Sequence, residues 1–281
     1  MPHPLLDKHR ATLESALNAI ATRGYWSPFP EMPSPKLYGE TAPDEGKRAF
    51  DAHLGKQFEL GQPGQTGWHG GETSPYGVEL GVSYPVCDPD ALIAAGLEAM
   101  KGWQGVGADG RTGICLEILE RLNKQSFEIA HAVMMTTGQG WMMAFQAGGP
   151  HAQDRGLEAV TYAWREQSFV PAETTWEKPQ GKNPALVMKK HYQIVGRGVG
   201  LVIGCGTFPT WNTYPGLFAA LSTGNAVIIK AHSNAILPAA ITVRTIRAVL
   251  AENGIDPNLV SLCVATQRSV TQALATHPAV Q

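Results

Sequence analysis

This sequence is short of charge. Asp, Glu, Lys and Arg make up 16% of its 281 residues, against roughly 25% in an average domain, which implies extensive burial, subunit contacts included. The net charge is -2 and the pI near 6.5, with no basic stripe, so a nucleic-acid partner has no electrostatic footprint. The four cysteines, Cys87, Cys115, Cys205 and Cys263, form no C-x-x-C pair, and the start carries neither a basic nor an apolar leader region. A reduced, cytoplasmic protein is expected. No apolar run approaches the roughly 20 residues that cross a bilayer, so no membrane partner is expected either. No GxxxxGK[ST] or Gly-x-Ser-x-Gly string occurs, Gly204-x-Gly206 followed by Pro209 is not GxGxxG, and no His/Asp/Glu group has metal-ligand spacing; no metal is expected.

What is present begins with Gly198 to Lys230, GVGLVIGCGTFPTWNTYPGLFAALSTGNAVIIK. An apolar run, a Gly/Pro corner, a helix of about four turns and a second apolar run make a βαβ unit. Parallel strands buried on both faces read as continuously apolar, and their crossover is a helix. Strands are expected near 199 to 204, 225 to 230 and 259 to 264. Ligands of such sheets sit beyond the carboxyl ends of the strands, where Gly204 to Pro209 and Lys230 to Ser233 fall.

Upstream, Leu5, Leu6, Leu13, Leu17 and Ile20 predict one amphipathic helix over 4 to 22, ended by Gly24. Tyr25 to Tyr38 is dense in proline and aromatics, which reads as an ordered arm. Residues 42 to 58 hold a second helix, and 61 to 86 form a glycine-rich loop laid against the body, with Trp68 and His69 as anchors. Helices follow at about 90 to 103, 110 to 123, 125 to 137 (closed by Gly138) and 157 to 165, with Met134, Met135, Met142 and Met143 as gap-filling core. Residues 176 to 194 suggest one or two strands, with Asn183-Pro184 as a turn signal. Ser233 or Asn234 is expected to cap a helix that ends at Gly254.

Trp103, Arg111, Leu119, Thr137-Gly138, Gly198-Val199-Gly200, Phe208-Pro209, Gly224-Asn225 and Lys230 together resemble the aldehyde dehydrogenase superfamily from about Asp88 onward. The TFPTWNTYPGLFAALSTGN wording is similar to its phenylacetic acid degradation branch. The resemblance implies an α/β fold with a helical and loop-rich amino-terminal part (1 to 88) and, over 89 to 281, helices leading into an incomplete Rossmann-like parallel sheet. It implies oxidation of a small-molecule aldehyde with NAD or NADP, a ring-opened semialdehyde carried as a CoA thioester being one candidate, and a homo-oligomer when complete.

The resemblance also assigns roles. Ile203, Gly204, Cys205 and Gly206 would line the cofactor path, and Lys230 would hold the adenosine ribose. Ser233 stands where many NAD-using members carry a glutamate, which with His232 and Arg268 nearby opens the NADP reading. Thr207 takes the place of the oxyanion-stabilising asparagine, with Asn212 as the alternative; loss of one such donor costs about 2.7 to 4 kcal/mol. The family's nucleophilic cysteine and its glutamate base are expected in sequence that would follow Gln281, so the chain is expected to be an inactive amino-terminal portion. The alternative is a non-catalytic nucleotide- or subunit-binding module. Cys205 and Cys263 are read as structural.

Overall fold

The computed structural model describes residues 3–265 and 267–281. The amino-terminal stretch is two helices, α1 (Pro4–Lys8) and α2 (Arg10–Thr22), rather than the single one expected. The helix breaks at His9, whose Nε2 lies 2.9 Å from Glu117 Oε2. Arg23, at φ 56°, makes the left-handed end assigned above to Gly24. The aromatic arm is ordered around a short helix, α3 (Pro35–Tyr38). Its Tyr38 hydroxyl donates to the Pro30 carbonyl at 2.5 Å, and the Tyr38 ring sits edge-on to Phe127 and Phe145.

The second helix, α4 (Ala42–Asp51), is shorter than expected. The glycine-rich stretch is a hairpin, not only a loop: β1 (Gln65–Gly70) pairs antiparallel with β2 (Ser83–Cys87). Five helices follow, α5 (Pro89–Gly105), α6 (Gly107–Lys124), α7 (Ser126–Thr137), α8 (Trp141–Gly148) and α9 (Pro150–Ser168). Asp88 caps α5 by accepting from the Ala91 N–H at 3.3 Å. Gly138, at φ 77°, closes α7 in the conformation that glycine alone adopts freely. Met134 and Met135 pack on the core, whereas Met142 and Met143 of α8 are exposed, against expectation.

β3 (Glu173–Gln180) and β4 (Asn183–His191) form a second antiparallel hairpin, exposed along its whole length. Its turn is centred on Gly181-Lys182, not on Asn183-Pro184, which lies inside β4. The pairing slips between Lys178 and Gln180. Pro179 and Pro184 both fall there, and neither has an N–H to give to the ladder.

The parallel sheet is β5 (Val199–Ile203), β6 (Ala226–Lys230) and β7 (Val260–Cys263), in that order, joined by α10 (Pro209–Ser222) and α11 (Leu237–Glu252). Each strand is within a residue of its expected place. After α12 (Arg268–Thr276) the chain returns to the far side of β5. There Val280 bridges Val199, with the Val199 N–H on the Ala279 carbonyl and the Gln281 N–H on the Val199 carbonyl. The outer edge of β5 is therefore met at its amino end. The two neighbours of β5 are reached in opposite directions, which makes its carboxyl end a topological switch point.

Buried polar groups tie this sheet to the rest. The last carbonyls of α10, on Leu221 and Ser222, accept from Trp103 Nε1 (2.9 Å), Arg111 Nε (3.2 Å) and Gln167 Nε2 (3.1 Å). The Ser222 carbonyl would otherwise be orphaned at a buried helix end. The free edge of β7 is covered by one side chain: Gln62 Nε2 donates to the Leu262 carbonyl at 3.0 Å while its Oε1 accepts the Leu262 N–H at 2.5 Å. A side-chain amide thus takes the place of a neighbouring strand. Arg247, buried, donates to the carbonyls of Leu60, Gly61, Pro257 and Val260. One apolar cluster runs from Leu6 through α5, α6 and the sheet to Leu274, each fully buried Leu or Ile contributing about 1.5 to 3 kcal/mol.

Candidate functional site

The three parallel strands end together at Ile203, Lys230 and Cys263. β5 leaves the sheet through Gly204-Cys205-Gly206, and the Gly204 N–H donates to the Lys230 carbonyl at 2.9 Å, tying the ends of β5 and β6. A β-carbon on Gly206 would lie 2.9 Å from His232 Nδ1, so glycine is what lets that ring stand against the turn. Lys230 is half-buried and has no ion-pair partner among the described residues. Burial pushes the Cys263 thiol up to about 11, although the Lys230 charge pulls it down. Cys87 and Cys115 are also buried, and burial raises both thiols, Cys115 to about 12. Cys205 is half-buried, with its sulfur accepting from the Phe208 N–H at 3.3 Å.

The residues expected to carry function are thus partly gathered. Ile203, half-exposed, Gly204, Cys205, Gly206 and Lys230 share one edge of the sheet. Ser233 is exposed in the segment after β6, its hydroxyl 3.4 Å from Asn234 Oδ1. The expected capping of α11 by Ser233 or Asn234 does not occur. Ile236 is the N-cap, and a carboxylate from far upstream, that of Glu72, supplies the acceptor. Arg268 opens α12 beyond β7, exposed and without an ion-pair partner among the described residues.

Thr207 is exposed, and its carbonyl accepts from Gln139 Nε2. Asn212 lies on the exposed side of the first turn of α10, its N–H on the Phe208 carbonyl. Phe208 and Trp211 face one another with ring centroids 6.1 Å apart, and Trp211 is 44% exposed. Gln139 carried no signal in the sequence, since it joins α7 to the Thr207 corner only through the fold. Glu72 was equally silent within a glycine-rich stretch.

A nucleotide cofactor fits what this edge offers. It has a cation with no ion-pair partner among the described residues, a glycine turn, and a helix, α10, whose amino end has no side-chain cap. Helix amino ends and unpaired lysines bind phosphate and ribose oxygens. Metal-type donors meet elsewhere, at His9, Glu117 and Glu120. Lys8 occupies both carboxylates, at 2.5 and 2.9 Å, and Arg121 and Lys124 take their remaining oxygens. This cluster is an ion-pair network that pins α1 to α6. Burial pushes the Glu117 carboxyl up, and Lys8, His9 and Arg121 outweigh that, leaving it at about 2.

A doubly wound α/β sheet with a ligand edge at a strand-order switch defines a nucleotide-binding class of protein. Within it, the family model described as the aldehyde dehydrogenase family matches residues 85–281, and the chain belongs to that family. The crystal structure of an NAD-dependent aldehyde dehydrogenase from Burkholderia multivorans is 59% identical and superposes with a TM-score of 0.97. It covers 100% of this chain, which spans 51% of that protein's length. An alpha-ketoglutaric semialdehyde dehydrogenase 2 from Azospirillum brasilense is 37% identical over 119 residues, 42% of this chain and 22% of that protein. A Thermus 1-pyrroline-5-carboxylate dehydrogenase with bound NAD shares the fold alone, at 18% identity and a TM-score of 0.64 over 92% of this chain and 48% of that one. No helix among the described residues is long and apolar enough to cross a membrane.

Proposed function

We propose that this chain forms the cofactor-binding half of an aldehyde dehydrogenase that oxidises an aldehyde with NAD or NADP. The observation that carries the reading is the carboxyl edge of β5 and β6, where Gly204–Gly206 and the unpaired Lys230 meet at the switch point. The likeness to an NAD-dependent aldehyde dehydrogenase along the full chain supports it. The cofactor, when bound, would supply the hydride acceptor; Lys230 would hold its ribose hydroxyls, with the Gly204–Gly206 turn beside it. Thr207, or Asn212 from the first turn of α10, donates to the developing oxyanion. Phe208 and Trp211 give the aldehyde's carbon chain an apolar wall. Cys87, Cys115 and Cys263 are buried with raised thiols, which disfavours each of them as the attacking thiol.

The wording around Thr207 to Asn225 favours the phenylacetic acid degradation protein PaaN as the nearest type. The substrate would then be a ring-opened semialdehyde, carried as a CoA thioester. Ser233 puts no carboxylate against a 2′-phosphate, and Arg268 is the available cation, which favours NADP over NAD. The exposed β3–β4 hairpin carries Trp176, Leu186, Val187 and Met188 in water, and a two-stranded ribbon is marginal by itself. A second copy of the chain is its proposed cover, giving a homo-oligomer. Calorimetric titration of both cofactors onto the wild-type chain and the Arg268→Ala variant tests the NADP reading. NADP should bind more tightly to the wild type and lose that advantage in the variant; a preference for NAD in both would sink it.

A further inference from the structure

A side chain outside the cofactor edge, Glu72 in the β1–β2 connection, reaches the helix that follows that edge. Helix α11 begins at Leu237 with Ile236 as its N-cap, a residue with no side-chain acceptor. Ile236 and Leu237 are 2% and 0% exposed, so water cannot serve their N–H groups. Glu72 Oε1 accepts both, the Leu237 N–H at 3.0 Å, and the Tyr84 hydroxyl donates to Glu72 Oε2. Glu72 and Tyr84 are themselves buried, at 6% and 0% exposure. Burial pushes the Glu72 carboxyl up, against the Tyr84 hydroxyl and the two N–H groups, which hold it down. A carboxylate at a helix amino end is favoured further by the helix dipole.

The segment between Lys230 and this cap carries His232 and Ser233. It is fixed at one end by the Lys230 carbonyl on the Gly204 N–H. Its own bonds are local, the Ala235 N–H on the His232 carbonyl at 3.0 Å and the Asn234 N–H on His232 Nδ1 at 3.2 Å. At the far end Ile236 and Leu237 pack into the core, and Glu72 is the one described side chain that hydrogen-bonds their N–H groups. We propose that Glu72, steadied by Tyr84, is the positioning residue that holds the Lys230–Ile236 segment in its nucleotide-binding shape. This rests on the cofactor reading above and adds a residue 164 positions upstream of the helix it caps. Releasing the cap multiplies the shapes of a short loop, and apparent affinity falls by the fraction that stays competent.

The test combines NAD titration with hydrogen–deuterium exchange on the full chain, for wild type, Glu72→Ala, Glu72→Gln, Tyr84→Phe and Gln62→Ala. Glu72→Ala should speed exchange at 231 to 237 and raise the NAD Kd about tenfold. Glu72→Gln, which keeps a carbonyl acceptor at the helix end, should recover most of that loss, and Tyr84→Phe should fall between. Gln62→Ala strips the β7 edge and should lower Tm with the NAD Kd unchanged. An NAD Kd for Glu72→Ala within about twofold of wild type overturns the proposal, as does an equal loss in Gln62→Ala. Should Glu72→Ala fail to fold, Tyr84→Phe carries the same comparison. If wild type binds neither NAD nor NADP, the cofactor reading falls and this proposal with it; if wild type binds and the Glu72 variants match it, only the proposal falls.

Discussion

At the scale of single residues, burial decides what each ionisable group contributes. Asp154 sits beneath the aromatic arm, in a 330 Å³ cavity lined by Tyr25, Trp26 and Tyr162 among others. Burial pushes its carboxyl up to about 6, while the Ser27 hydroxyl, His151 and Arg155 pull it down. An acid raised on folding binds more protons in the native state than in the unfolded one. Its contribution is therefore held at low pH and lost as pH rises from about 4 through about 6. Asp154→Asn keeps an acceptor for Ser27 and removes that loss. It should raise stability by about 1 kcal/mol at pH 7.5, allowing for partial solvent screening, and by almost nothing at pH 4, as read from urea midpoints. Lys230 was singled out from sequence because it ends an apolar run at the position where the resembled family holds its cofactor ribose. Glu72 and Gln139 were not, since each acts on a segment remote in sequence.

At the scale of elements, the sheet strands were legible to within a residue because parallel strands buried on both faces are continuously apolar. The failures have physical causes. The helix over 4 to 22 breaks because His9 leaves the helical path to meet Glu117. Helix α8, WMMAFQAG, is short and has no polar face, so nothing in its periodicity announces it. The cap of α11 came from another element, which a search for Ser or Asn next to the helix cannot find. The β7 edge gives the firmest element-scale prediction. Arg247→Met strips its donors from the carbonyls of Leu60, Gly61 and Val260, while Pro257 keeps the Val260 N–H. Buried acceptors left unmatched cost about 1 to 3 kcal/mol each and do not add fully, so a loss of about 2 to 4 kcal/mol is expected. Guanidinium unfolding should show a lower midpoint at unchanged slope.

At the scale of the whole molecule, two surfaces face outward for different reasons. The carboxyl edge of the sheet is polar and open where a nucleotide would lie. The β3–β4 hairpin exposes Trp176, Leu186, Val187 and Met188, which the proposed second copy would cover. Trp176 and Met188 are directly paired across the strands, with Lys190 5.1 Å over the Trp176 ring. Replacing both with glutamate should shift the chain to monomers in sedimentation equilibrium while leaving NAD affinity intact; an unchanged mass distribution would remove the hairpin from the assembly. The central claim, that the edge formed by Gly204–Gly206 and Lys230 is the cofactor site, is tested most directly by mapping hydrogen–deuterium exchange with and without saturating NAD or NADP. Protection confined to residues 203 to 212 and 230 to 237, and absent in Lys230→Met, is the predicted result. Protection that leaves those two segments unchanged and falls elsewhere on the chain would contradict it.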